Sequence, residues 1–242
     1  MRKTVGLFRP LRFDHLDLTA KLLVKYSIPD TFEILDDVLA KEFKGKEGRR
    51  KIINNLTRVW SGGKKEPSAF QKEVLAKYNS SDKNDKIIYQ YLMTSLAFPF
   101  FSETTTFVGK YLKMSDTFKS SVILLEMRNS YGSAESVYKG VNAVLNGLKS
   151  WEILSEGSSK NHYVFKENLL EISNEFQLNL LVLVVIQNYV GDSLTIEQIN
   201  NHASMFPFRY LIRKEDIVSS QFEIIEDRLD TYISILSYEK ND

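Results

Sequence analysis

The stretch at residues 133–166 constrains the fold of this chain most, because its hydrophobic periodicity changes partway along. The first half repeats apolar residues at helical spacing, and the second half alternates apolar and polar residues around a small polar turn. At about 100° per residue, the apolar positions of the first half fall in one arc. They are Val137, Val141, Val144 and Leu148, with Ala134 and Leu145 beside them. This pattern predicts an amphipathic helix that runs into a two-stranded hairpin.

Two further helices are expected just before this stretch. One covers residues 103–114 with Ser102 as its N-cap, and the next covers residues 116–128. The break before the amphipathic helix ends in Tyr131-Gly132, and glycine is typical of such turns. Two helices around a Gly-containing turn, followed by a β-ribbon, are the order of a winged helix-turn-helix. We therefore predict this fold, which most often docks on duplex DNA, for residues 101–168.

The rest of the chain reads as mainly helical. After an extended segment at residues 5–12, residues 1–100 carry several helical patterns, one of them capped by Asp30 and the last two near residues 68–78 and 85–96. Pro99 interrupts the pattern and predicts a joint between domains. Residues 169–242 are expected to form a helix over 169–190, a short helix over 193–203 capped by Ser193 or Thr195, and a hairpin of residues 221–226 and 231–237. A helix competes for residues 221–226, and no internal repeat is visible.

These patterns predict a mainly α protein with three parts. A helical N-terminal domain covers residues 1–100, the winged helix-turn-helix covers residues 101–168, and a small C-terminal α/β appendage covers residues 169–242. The chain has no cysteine, which excludes disulfides, Cys-ligated metals and thiol nucleophiles. The N-terminus lacks the apolar run of a secretion signal, so a cytoplasmic protein is expected. The most apolar stretch, residues 178–186, is far shorter than the roughly 20 residues that cross a bilayer.

Charge is distributed unevenly along the chain. The net charge is +8 over residues 1–115, zero over residues 116–170 and −7 over residues 171–242. This asymmetry suggests that the N-terminal part meets an anion. The alternative is that basic and acidic surfaces pack against each other or against a partner.

The polar face of the amphipathic helix is the first candidate DNA contact. Asparagine can bridge adenine N6 and N7, while lysine and serine reach phosphates or base edges. A basic patch at residues 41–51 would supply phosphate contacts of its own, although it could equally be a solvated helix end. The predicted DNA-binding residues are Ser133, Ser136, Lys139, Asn142, Asn146 and Lys149, Lys160 in the hairpin turn, and Lys46, Arg49 and Arg50 in the basic patch.

Small residues line a third stripe of the same helix, at Ser136, Gly140, Ala143 and Gly147. Two glycines inside a helix cost roughly 1 kcal/mol each relative to alanine, so something is expected to approach closely. A sugar-phosphate backbone, another helix of this chain or a dimer partner would each satisfy this pattern.

The sequence contains no recognised catalytic motif. The histidines His15, His162 and His202 do not recur at metal-ligand spacing, and no HExxH, GxSxG or phosphate-binding loop occurs. His15 lies between Asp14 and Asp17, which could form a metal or acid/base cluster, but a polar helix start is the commoner meaning of such a group. We therefore expect a protein that is not an enzyme and that uses no metal and no cofactor.

Residues 91–154 resemble winged helix-turn-helix proteins of prokaryotes, and in particular a bacterial group that accompanies phage-defence or DNA-modification genes. The matching residues are Pro99-Phe100-Phe101, Gly109, Tyr131-Gly132, Leu148 and Trp151. The resemblance covers about a quarter of the chain. It departs from the usual pattern at residues 133–139 and at Lys149, where arginines are expected.

The resemblance implies DNA-associated work without catalysis. The leading expectation is thus a non-catalytic binder of double-stranded DNA, acting as a regulator or as the DNA-docking subunit of a prokaryotic defence or modification system. A protein–protein adaptor with the same fold is the alternative, and a metal-dependent nuclease with an unrecognised site is a distant one. Other protein subunits and a second copy of the chain are the further partners considered, and no membrane partner is expected.

Overall fold

The computed structural model describes residues 4–166, 169–191, 193–218 and 220–236, and in these ranges the chain is mainly helical, as predicted. After an extended segment at residues 4–12, the N-terminal part contains five helices: α1 (Phe13–Leu23), α2 (Ile28–Leu39), α3 (Lys46–Ser61), α4 (Ala69–Ser80) and α5 (Lys83–Ala97). The predicted cap of α2 was wrong. Ser27, not Asp30, is the N-cap, because its Oγ accepts the Asp30 N–H while Pro29 occupies the first turn, where a proline loses no helical hydrogen bond.

The middle of the chain contains α6 (Pro99–Leu112), β1 (Thr117–Lys119), α7 (Ser120–Tyr131), α8 (Glu135–Ser150), β2 (Leu154–Glu156) and β3 (His162–Phe165). The predicted helix start at residue 103 was wrong. Pro99 opens α6 after the extended residue Phe98, so Ser102 lies buried inside the helix and does not cap it. Pro99 therefore begins a helix at the place where the sequence predicted a joint between domains.

The helix predicted for residues 116–128 was also misplaced. Its first residues form β1, which pairs antiparallel with β3, and α7 begins only at Ser120. The predicted hairpin is confirmed as β2 and β3, and β3 lies between β1 and β2 in the sheet. The rings of Phe118 and Tyr163 stack across the β1–β3 pair with centroids 5.6 Å apart.

The C-terminal part contains β4 (Leu170–Glu171), α9 (Glu175–Gln187), β5 (Ser193–Thr195), α10 (Ile196–Asn200), β6 (Phe208–Arg209), β7 (Phe222–Glu226) and β8 (Thr231–Ile235). The helix predicted for residues 169–190 is shorter, because β4 pairs with β6 and the Asn174 side chain caps α9. The helix predicted for residues 193–203 begins only after β5, where Thr195 caps α10. The hairpin of residues 221–226 and 231–237 is confirmed as β7 and β8, with Ser237 outside the described residues.

The C-terminal elements repeat the order of the middle elements. A helix (α9), a strand (β5) and a second helix (α10) come first, and a hairpin (β7 and β8) closes the unit. The last strand again lies in the centre of its sheet, in the order β5, β8, β7. No counterpart of α8 occurs there, since residues 203–216 form two short 3-10 turns and β6 instead. The sequence indicated no repeat, so this correspondence is one of topology and not of residue pattern.

One continuous cluster of buried apolar side chains joins all three parts of the chain. Tyr91 of α5 is fully buried at their meeting point, where its ring contacts Trp151 edge-on at a centroid distance of 6.2 Å and Phe208 at 4.9 Å. Its hydroxyl donates to the Ser204 carbonyl oxygen. Burial raises the pKa of Tyr91, so it stays a neutral donor. The boundaries predicted at residues 100 and 168 remain predictions.

Candidate nucleic-acid interface

The helix pair α7 and α8 is joined at Gly132, which has a φ of +83°. L-residues with side chains rarely adopt this conformation, so the turn depends on glycine. The apolar arc predicted for α8 is confirmed at Val137, Val141, Val144, Leu145 and Leu148, which are all buried. Ala134 was wrongly placed beside this arc, because it is the exposed N-cap residue that precedes α8. Burying this arc orients the opposite, polar side of α8 away from the core.

The stripe of small residues on α8 packs against the same chain. A Cβ on Gly140 would lie 2.5 Å from Val5 Cγ1 and 2.7 Å from the ring of Phe100. A Cβ on Gly147 would lie 3.5 Å from the Leu11 carbonyl oxygen. The close approach that the sequence predicted is therefore made by α6 and by the extended segment at residues 4–12.

The polar side of α8 holds Lys139, Asn142 and Asn146. Lys139 is exposed and pairs with Glu135 one turn earlier, at an Nζ–Oε1 distance of 2.9 Å. Asn142 and Asn146 are half-buried, and they line a polar crevice of about 560 Å³ between α8 and the turn of the β2–β3 hairpin. The exposed turn residues 158–161, which include Lys160, line its other side. The structure thus brings the predicted helix and hairpin residues onto one surface.

Lys149, at the last turn of α8, forms an ion pair within the chain. Its Nζ binds Glu156 of β2, and this hydrogen bond lowers the pKa of the Glu156 carboxyl group. Ser133 is exposed in the turn before α8, and Ser136 is half-buried on the first turn. Because Lys149 is paired with Glu156, a phosphate at Lys149 would compete with this carboxylate.

Arg49 differs from its neighbours in the basic patch. Its Nε and Nη2 donate to the two carboxylate oxygens of Asp36 at 2.7 and 3.1 Å, and its Nη1 donates to the Phe43 and Lys44 carbonyl oxygens. These contacts lower the pKa of Asp36 and raise that of Arg49. Arg49 thus ties α3 to the end of α2. Lys46 and Arg50 are exposed and make no ion pair among the residues that the structure describes.

Lys46 and Arg50 line a pocket together with Asp36 and Asp37 of α2. Lys51, at the end of the basic patch, instead shares with α8 a groove that the sequence did not predict. It has a volume of about 840 Å³ and lies between residues 4–12, α3 and the first turn of α8. Its lining includes Arg9, Lys51, Asn54, Asn55 and Lys139. The polar residues of α3 recur at helical spacing and could have been found in the sequence, whereas the contribution of Arg9 depends on the path of the extended segment.

The group around His15 does not form a metal or acid/base cluster. His15 is buried with its Nε2 atom 3.4 Å from Glu42 Oε1, and Asp14 pairs with Arg12. Asp17 turns towards Lys21, Lys86 and Tyr78. Throughout the described ranges, no three His, Asp or Glu side chains are grouped so that they could hold a metal ion.

No helix in the described part of the chain is long and apolar enough to span a bilayer. Comparisons of the chain with protein-family models, with curated proteins and with solved structures found no match.

Proposed function

We propose that residues 101–168 form a winged helix-turn-helix unit and that the protein binds duplex DNA through it without catalysis. The order of α6, β1, α7, α8, β2 and β3, with β3 central in the sheet, supports this proposal most. In such a unit α8 would lie in the major groove, and the hairpin turn would contact the flanking backbone.

The polar surface of α8 suits this geometry. The amide groups of Asn142 and Asn146 would read base edges, while Lys139, Ser133 and Lys160 would contact phosphates. The Lys139–Glu135 pair is exposed, at 57% and 77% for the two side chains. Exposed pairs contribute about 0–1 kcal/mol, so Lys139 can exchange its carboxylate for a phosphate at little cost.

The cellular setting of this activity is proposed from the resemblance of residues 91–154 alone. DNA binding would serve a regulator, or the docking subunit of a prokaryotic defence or modification system. In that setting the protein would act in the cytoplasm, with other subunits as partners. Its own contribution would be placement on DNA, since the chain carries no recognised catalytic motif.

A titration of labelled duplex DNA across a salt series tests the proposal. We expect wild-type binding at about 50 mM salt, where phosphate contacts are strongest, and a negative slope of log affinity against log salt. Lys139→Glu combined with Asn142→Ala should weaken binding at least about tenfold, because it removes one phosphate contact and one base contact. Lys72→Glu, an exposed charge reversal on α4, is the control and should bind as wild type.

Two results would contradict the proposal in different ways. Absence of wild-type binding at low salt would remove DNA as the ligand. Unchanged binding in the double variant would remove α8 as the contact surface. Duplex incubated with the protein and Mg²⁺ or Mn²⁺ should remain intact, and cleavage would favour the nuclease alternative.

A protein–protein adaptor is the second candidate, and the charge of the surface favours it. Residues 116–170 have no net charge, and both Lys139 and Lys149 already pair with carboxylates. Tyr138 is also 49% exposed beside the polar crevice, and tyrosine is common at protein interfaces. Absence of DNA binding in the titration would leave this candidate as the leading one.

A further inference from the structure

The groove between α3 and α8 has three walls from separate parts of the chain. The extended segment contributes Gly6, Phe8 and Arg9, α3 contributes Gly48, Lys51, Asn54 and Asn55, and α8 contributes Glu135, Ser136 and Lys139. The groove is open along its length and has a volume of about 840 Å³. An extended polymer can therefore lie in it without any rearrangement of the core.

The charges of the groove select an anion. Among the described residues that line the groove, Arg9, Lys51 and Lys139 each come from a different wall, and the acid Glu135 is already paired with Lys139. Arg9 and Lys51 have no ion-pair partner within the described ranges. A bound phosphate would therefore displace no ion pair with a described residue at these two side chains. Asn54 and Asn55 add neutral donors that suit phosphate and sugar oxygens.

The position of the groove relates it to the proposed DNA surface. Lys139 lines the groove, while Asn142 and Asn146 line the crevice beside the hairpin on the same helix. At 1.5 Å per residue, Lys139 and Asn146 are separated by about 10 Å along the axis of α8. The major groove of B-DNA is about 12 Å wide, so phosphates at its edge come within reach of the groove when α8 lies inside.

We propose that this groove holds the sugar-phosphate backbone of the duplex beside the segment that α8 reads. Arg9 and Lys51 bind successive phosphates, and Asn54 and Asn55 donate to the same strand. The N-terminal helices thereby supply affinity that does not depend on sequence, whereas α8 supplies fit. This inference rests on the proposed DNA-binding function.

The test compares Arg9→Gln combined with Lys51→Gln against the wild type, on a duplex of about 30 base pairs that extends beyond the contacts of α8. Lys64→Gln combined with Lys65→Gln is the control, since it removes the same charge from exposed positions beyond the end of α3. In the groove variant, the negative slope of log affinity against log salt should become shallower by about 2, one unit for each lost phosphate contact. It should weaken binding to all sequences equally, and the control should leave the slope unchanged. Thermal unfolding of each variant establishes that both remain folded.

Each outcome is decisive. A slope that becomes shallower by about 2 in the groove variant alone supports the inference. A wild-type slope in the groove variant, with DNA still bound, overturns the groove assignment and leaves the proposed function standing. An equally shallower slope in the groove variant and in the control also overturns it, because the total positive charge of the protein would then account for the effect. No binding by the wild type overturns the proposed function and this inference together.

Discussion

At the scale of the residue, ion pairing divides the basic side chains into two groups. Arg49 and Lys149 are engaged with Asp36 and Glu156, whereas Arg9, Lys51 and Arg50 have no ion-pair partner in the described part of the chain. A ligand phosphate gains more from the second group, because those side chains give up no ion pair with a described residue to bind it. The sequence could not make this division, since Arg49 and Arg50 are neighbours and differ only in which face of α3 they occupy.

His202 makes the stability of the protein depend on pH. Burial lowers its pKa below the ordinary value of 6.5, and Lys113 and Lys110 lower it further. The unfolded state therefore binds more protons than the folded state at pH values between the two pKa values. We expect the free energy of unfolding to fall as pH falls below about 6.5, until the pH reaches the lower pKa of the folded state.

Urea unfolding of the wild type and of His202→Gln at pH 8 to 5 measures this effect. The difference between their free energies of unfolding should change over this range, because glutamine does not titrate. His202 accepts or donates a hydrogen bond at Ser204 Oγ, 2.8 Å away, and glutamine can keep a polar contact there. A difference that stays constant with pH would show that His202 is protonated equally in both states.

At the scale of the element, glycine positions decide how closely helices approach their neighbours. A Cβ on Gly109 of α6 would overlap the Ala203 carbonyl oxygen, which belongs to the backbone and cannot turn aside. We expect Gly109→Ala to lower the free energy of unfolding by about 1–3 kcal/mol, because α6 and the turn at residues 203–205 must separate. Thermal or urea unfolding measures the loss.

Gly48→Ala is the matched control for this prediction. Gly48 is also inside a helix, but a Cβ there would meet no atom within 4 Å. Alanine should therefore stabilise α3 by up to about 1 kcal/mol through its higher helix propensity. Equal effects of the two substitutions would contradict a role for close packing at Gly109.

The elements also differ in how much of each could be predicted. The apolar arc of α8 spans four turns, so its periodicity outweighs local exceptions. By contrast, β1, β4 and β5 contain only two or three residues and show no period of their own. β1 forms because Phe118 pairs with Tyr163, which lies far along the chain. The local sequence around Phe118 predicts a helix instead.

At the scale of the whole molecule, the three predicted parts share their buried surface. Tyr91, Trp151 and Phe208 come from different parts and contact one another through the Tyr91 ring. We expect residues 99–166 expressed alone to lack a cooperative thermal transition, because Trp151 and Phe101 lose their contact with the ring of Tyr91. Trp151 is the only tryptophan in this fragment, so its fluorescence should shift towards the wavelength of exposed indole.

A sharp unfolding transition and blue-shifted Trp151 emission in the fragment would contradict this expectation. They would show that the segment is an independent domain and that its contacts with α5 and residues 203–208 add only to the stability of the full chain. The full-length protein provides the reference, with thermal unfolding and the intrinsic fluorescence of its two tryptophans measured in the same way.

The repeated order of elements in the C-terminal part bears on the charge asymmetry. In that part, residues 203–216 take the position of α8. Ala203 packs against α6, and the Ser204 carbonyl oxygen accepts a hydrogen bond from Tyr91. This unit therefore presents no helix comparable to α8, and residues 171–242 carry a net charge of −7. Both features agree with the proposal that places the DNA-binding surface on the middle and N-terminal parts.

The sequence by itself determined the helical class, the polar and apolar sides of α8 and the hairpin that closes each of the two units. These are local properties, since periodicity and turn residues act within about 20 residues. Only the tertiary structure decided that the small residues of α8 face Val5 and Phe100, that Arg49 is engaged with Asp36, and that Arg9 joins Lys51 in one groove. Such pairings depend on which distant segments the buried core brings together, and no local pattern records them.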